Sequence, residues 1–168
     1  MADRPEPVPQ PGDRAVRDAA ARESLCGPGG DPFTVAIPSD VTHIERVVET
    51  VVARCVAHDF SRRACALNVP VALTEAIANA ILNGNGEDAA KHVRVRGCVD
   101  DRALVVEVHD EGGGFDLARL TNRPGDPGFV EREDGRGLYL MQALMDRVEQ
   151  FLAPDRGNVV RLTLRRAP

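Results

Sequence analysis

A carboxylate and two carboxamides recur at intervals of four in TEAIANAILNGN, residues 74–85: Glu75, Asn79 and Asn83. Most of the stretch is helix-forming. A step of four advances an α-helix by about 400°, so each side chain is offset by only about 40° from the last. The three therefore share one stripe, with Ile77 nearly opposite Glu75. Asn inside a helix costs several tenths of a kcal/mol more than Glu, Lys or Ala. A ligand site would repay that placement, because a carboxamide oxygen is a neutral ligand for a hard cation and a carboxylate one turn away can accept a proton. A solvated helix face could carry the same residues, and the stripe alone leaves both readings open.

Two glycine-rich stretches follow it. In VVEVHDEGGGFD a strand pattern ends in Asp110 and the chain turns through Gly112, Gly113 and Gly114. Asp110 is placed to accept a hydrogen bond from a ligand N–H at a sheet end, and the glycines let backbone approach that ligand closely. His109, beside it, is a lesser candidate for ligand contact. In EDGRGLYLMQALMD, Gly135-Arg136-Gly137 opens an amphipathic helix whose free N–H groups suit a phosphate. Each stretch also has a purely structural explanation as a turn or a helix start.

These groups need a scaffold, and the hydrophobic periodicity supplies one. Phe33–Ile37 reads as a short strand ended by Pro38. Ser39 or Asp40 caps a helix carrying Val41, Ile44, Val47, Val48, Val51, Val52 and Cys55 at helical spacing. Asn68 and Pro70 introduce a second helix over 70–83. From Val93 the period changes to two, giving a hairpin with Val93, Val95 and Val99 on one arm and Leu104, Val106 and Val108 on the other, turning at Asp100–Asp101. Residues 117–134 are rich in Pro and Gly and read as a long mobile loop. The third helix repeats Leu138, Met141, Leu144, Met145 and Val148, and 147–152 with 158–165 read as a closing hairpin. The expected fold is α+β, a two-layer sandwich of a mixed, mostly antiparallel sheet with helices on one face.

Composition narrows the class. The 168 residues are 43% hydrophobic and 4% aromatic, so the core is aliphatic, and the net charge of −5 argues against a nucleic-acid or anionic-membrane binder. Without a long apolar run, no transmembrane helix is expected, and the start lacks a secretory signal, so a cytoplasmic protein is expected. Cys26, Cys55, Cys65 and Cys98 form no CxxC pair and no common zinc spacing, so reduced, mostly buried thiols are expected. Residues 1–31 hold Pro5, Pro7, Pro9, Pro11 and Pro28 and read as a disordered tail, with a short helix over 14–25; the domain is expected at 32–168.

The order and spacing of the three boxes are far more specific than any one of them. TEAIANAILNGN, VHDEGGGFD and DGRGLYLMQALMD together resemble the GHKL superfamily of ATP-binding domains, the Bergerat fold, and within it the bacterial anti-sigma-factor serine/threonine kinases. Glu75–Ala80 fits their E-x-x-x-N-A, Asp110–Asp116 their second box, and Gly135–Met141 their glycine pair followed by L-x-L-M; the resemblance spans about 33–166. It implies that Asn79 holds Mg²⁺, that Glu75 is the general base, and that Asp110 binds the adenine amino group beside Gly112 and Gly114. It further implies that 117–134 is the ATP lid and that Gly135, Arg136, Gly137 and Leu138 contact the nucleotide at the helix start. Asn83 stands where many members have histidine and is assigned a supporting role at the ATP site; Arg132 and Arg136 are candidates for a lid arginine. His43, His58 and His92 lie outside the boxes and read as surface residues.

The implied activity is phosphorylation of an anti-sigma-factor antagonist of the STAS type, together with binding of a sigma factor, by a homodimer. One alternative is a non-catalytic module whose ATP or ADP state controls a protein partner. A histidine-kinase-like ATPase domain is the other; the lack of an anchor and of a phospho-accepting histidine on a long dimerisation helix weighs against it.

Overall fold

A computed structural model describes residues 25–112, 133–152 and 157–167. The expectations for the tail before Leu25, and for the lid up to residue 132, lie outside the described residues, as does Gly114. Five strands form one sheet: β1 (Asp31–Pro38), β2 (His92–Val99), β3 (Ala103–His109), β4 (Arg147–Leu152) and β5 (Asn158–Arg165). Their order is β1-β2-β3-β5-β4. Every neighbouring pair is antiparallel, so the parallel component allowed for in the sequence does not occur among the described residues. Three α-helices accompany the sheet: α1 (Ile44–Ala57), α2 (Val69–Asn79) and α3 (Glu133–Leu144). The central helix, α2, packs against both α1 and α3.

Alternation places the expected strand residues inward. Val93, Val95, Val99, Leu104, Val106, Val108, Val160, Leu162 and Leu164 are buried, and they share one core with Ile44, Val47, Val51 and Cys55 of α1. Val41 is the exception: it is 48% exposed, because a 3₁₀ turn over Val41–His43, capped by the Asp40 side chain on the Thr42 N–H, precedes α1 and turns it out of the helical stripe. Val148 likewise leaves the third helix, which ends at Leu144, and joins β4.

The helix expected over 70–83 is longer. A π-helical turn, Ala64–Asn68, precedes α2, and a second, Ala80–Gly84, follows it. Pro70 has no N–H to donate and its ring crowds the carbonyl four residues back, so a widened turn lets the chain enter α2 without breaking. Asn68 is therefore no cap for α2. Its Nδ2 instead donates to the carbonyl of Leu144, satisfying an end of α3 at 2.8 Å. By length and composition the 21-residue stretch Ala64–Gly84 could cross a membrane, which the sequence reading did not anticipate. Val69, Ala72, Leu73, Ala76, Ile77, Ala80 and Ile81 account for that apolarity, since all are in the core.

The cysteine expectation fails for one pair. Cys26 and Cys98 form a disulfide, with Cα atoms 5.4 Å apart. A turn closed by the Gly30 N–H on the Gly27 carbonyl folds the segment before β1 back over β2, and a separation of 72 residues hides that meeting from spacing rules. Cys55 and Cys65 are free thiols. Burial, helped by the neighbouring Cys65, pushes the Cys55 thiol up to about 12.

The sheet face away from the helices carries a buried charge. Glu107 is fully buried in the middle of β3, directly opposite Arg96 on β2 and Arg161 on β5. Its carboxylate accepts from Arg96 Nε at 2.7 Å, Arg161 Nε at 2.9 Å and His109 Nε2 at 2.9 Å. His109 thus turns to this cluster and not to the face that carries the boxes. Burial alone would raise the Glu107 pKa, but the bonds from His109, Arg161 and Arg96 outweigh it and hold the carboxyl at about 2, below its ordinary 4.5. A depressed carboxyl stabilises the fold above its unfolded pKa, and that contribution fades as pH falls from about 4.5 toward 2. Glu107→Gln will flatten acid unfolding across this window and cost about 3 kcal/mol at neutral pH, read by urea melts at several pH values.

Candidate functional site

The first two boxes meet through glycine. Gly84, in the π-helical turn after α2, lies directly beneath the Asp110 carboxylate: a Cβ there would stand 2.5 Å from Asp110 Cγ. Gly112 packs on the Gly84 carbonyl so closely that any Cβ would overlap that oxygen. Asp110 is 4% exposed at the end of β3. Its Oδ1 accepts the Gly112 N–H at 2.9 Å and its Oδ2 accepts Asn158 Nδ2 at 3.2 Å. Burial raises its pKa, and the Gly112 and Asn158 bonds offset that in part. Each oxygen keeps a further acceptor position, so the carboxylate can still receive a ligand N–H.

The first and third boxes meet one helical turn away. The third helix begins at Glu133, two residues before the expected opening at Gly135, and its second turn lies over α2, where a Cβ on Gly137 would stand 2.6 Å from Glu75 Oε2 and 3.6 Å from Asn79 Nδ2. Asn79 is nearly buried, Glu75 half-buried and Asn83 exposed. Asn83 Nδ2 donates to Asn79 Oδ1 at 3.4 Å, so the stripe persists into the π-helical turn. Asn79 Nδ2 is buried with no hydrogen-bond partner among the described residues. A buried amide with an unmatched nitrogen beside a carboxylate, close under Gly137 and the N-terminal half of α3, suits a polar ligand with a cation.

Of the remaining expected residues, Gly135 lies in the first turn of α3 and Arg136 is exposed beside it. The Leu138 side chain is 2% exposed and belongs to the core, so its contribution to any ligand is confined to its backbone. His92 is exposed, and His43 and His58 are half-buried.

Two residues were not anticipated. Asn85, 3% exposed, donates to Ser39 Oγ at 2.7 Å and to the His92 carbonyl at 3.1 Å, and accepts the Glu111 N–H at 2.7 Å. It ties the end of the first box to the residue after β1, to β2 and to the second box. Asn158, fully buried, holds Asp110 from β5 and is itself held by Gln150 Nε2 at 2.6 Å. The available signal was polar residues placed where the hydrophobic pattern calls for core.

This arrangement defines a nucleotide-binding class of two-layer domain, and comparison with known proteins agrees. The family model for the histidine kinase-like ATPase domain matches residues 36–164. The chain belongs to that family, in its anti-sigma-factor kinase branch. It is 30% identical over 97 residues to an anti-sigma F factor of Caldanaerobacter subterraneus subsp. tengcongensis, covering 57% of this chain and 67% of that protein. It is 33% identical over 101 residues to the serine-protein kinase RsbW of Bacillus cereus, covering 57% of this chain and 61% of that one. A crystal structure of RsbU and RsbW domains from Mycobacterium tuberculosis matches with a TM-score of 0.57 at 14% identity, over 81% of this chain and 32% of that one. That last likeness concerns the fold.

The two glycine contacts differ in kind and should separate on substitution. Gly112→Ala drives a Cβ into backbone and will destabilise by about 3 kcal/mol in urea unfolding. At Gly137 the obstacle is the end of a flexible glutamate, so Gly137→Ala will cost under about 1 kcal/mol and displace the Glu75 carboxylate.

Proposed function

We propose that this protein is an ATP-dependent serine/threonine protein kinase acting on an anti-sigma-factor antagonist of the STAS type, and that it binds a sigma factor as a homodimer in the cytoplasm. The observation that carries the reading is the placing of the Glu75 carboxylate and the buried Asn79 amide, its nitrogen unmatched among the described residues, together beneath Gly137 of α3. The names of its relatives, anti-sigma F factor and serine-protein kinase, support the partner class.

In this reading Asp110 accepts the adenine amino group, and the close Gly84–Gly112 contact holds that carboxylate at the end of β3. The N–H groups of the first turn of α3, among them those of Gly135 and Arg136, face the phosphates, with the Arg136 side chain at the rim, while Gly137 and Leu138 follow in the next turn. The Asn79 carboxamide oxygen is the protein ligand for Mg²⁺. Bound Mg²⁺ would neutralise phosphate charge as the γ-phosphoryl group leaves. Glu75 takes the proton from the incoming serine or threonine hydroxyl, leaving its oxygen free to attack phosphorus.

Incubation with γ-labelled ATP, Mg²⁺ and candidate antagonist proteins tests this directly. The wild type should label the antagonist on serine or threonine. Glu75→Ala should retain ATP binding and lose transfer by a factor of about 10² or more. Asn79→Ala should weaken Mg-ATP binding by roughly tenfold. ATP binding without labelling of any such antagonist would overturn the kinase assignment.

A further inference from the structure

The buried amide of Asn79 is oriented against its proposed use. Its oxygen is turned away to Asn83, in a long bond of 3.4 Å, while its nitrogen faces Gly137 of α3 without a partner among the described residues. A buried N–H₂ left unmatched bears its desolvation cost with no return. Rotation of a carboxamide by half a turn exchanges its oxygen and nitrogen in nearly the same space. Asn83 also carries both groups, and it is exposed, so little hinders the same rotation there.

We infer that Asn79 and Asn83 form a reversible amide pair in which Asn83 positions Asn79 for the cation. With both amides rotated, Asn83 Oδ1 accepts from Asn79 Nδ2 and the Asn79 oxygen faces the site. The orphaned donor is then satisfied and a neutral oxygen ligand is presented in the same movement. Asn83 touches the cation in neither orientation; it acts through Asn79. A side chain at 83 that only accepts would hold the oxygen-inward state, and one that does neither would leave it unsupported. The inference rests on the Mg-nucleotide reading of this site.

The test is the ratio of ADP affinities in Mg²⁺ and in EDTA, by calorimetry on the full chain, with circular dichroism to verify folding. The wild type should show a gain of about tenfold with Mg²⁺. Asn83→Leu, similar in size but unable to accept, should bring the ratio to near one. Asn83→Asp, an acceptor alone, should keep or increase it. In ¹⁵N spectra the Asn79 side-chain amide should shift on addition of Mg²⁺ and ADP in the wild type, and stay in place in Asn83→Leu. A leucine variant with the wild-type ratio, or an aspartate variant that fails as the leucine one does, overturns the amide pair and leaves the kinase reading standing. Wild-type protein that binds no ADP at all brings down both.

Discussion

The contact on which the site depends is backbone on backbone: Gly112 lying on the carbonyl of Gly84, with no room for a side chain between them. It fixes the end of the central helix against the end of a central strand. The stripe on that helix and the carboxylate at that strand end thereby acquire a defined separation. Asn85 reinforces the contact by bonding to Ser39 just after β1, to β2 and to the turn after Asp110. Fixing one joint in this way positions side chains that come from three distant parts of the chain, without requiring that any of them bond directly to the others.

The widened turns on either side of α2 belong to the same logic. A regular helix from Ala64 to Gly84 would not tolerate Pro70. The second widened turn, Ala80–Gly84, carries the Asn85 N–H to the Ala80 carbonyl at 2.8 Å and brings the glycine beneath Asp110. Irregular helix ends of this kind recur at functional sites because they place a residue where a regular repeat could not. The regular helix between them carries the apolar residues that anchor it to α1, α3 and the sheet.

What was legible in the sequence was what repeats locally. The period-two runs give β2, β3 and β5 with their inward faces; Asp110 and Gly112 meet at Gly84, and Gly137 meets Glu75 and Asn79. What was hidden depends on contacts between remote residues. Cys26 finds Cys98 across 72 positions. Asn158 reaches Asp110 across 48, and Asn68 reaches Leu144 across 76. Glu107 reads as one polar residue in an alternating strand until β5 brings Arg161 beside it. Val41 and Val148 misled for the opposite reason, since they continue a helical period past the point where the helix exists.

The disulfide has a mechanical consequence. β1 is an edge strand joined to the sheet along one side, and a pull on the chain ahead of it would ordinarily unzip it from β2 one bond at a time. Because Cys26 is bonded to Cys98 on β2, tension arriving from the N-terminus passes around β1 and enters the sheet at its second strand. The seam between β1 and β2 is thereby shielded from load applied at that end, while load applied from the C-terminal side meets no such bypass among the described residues.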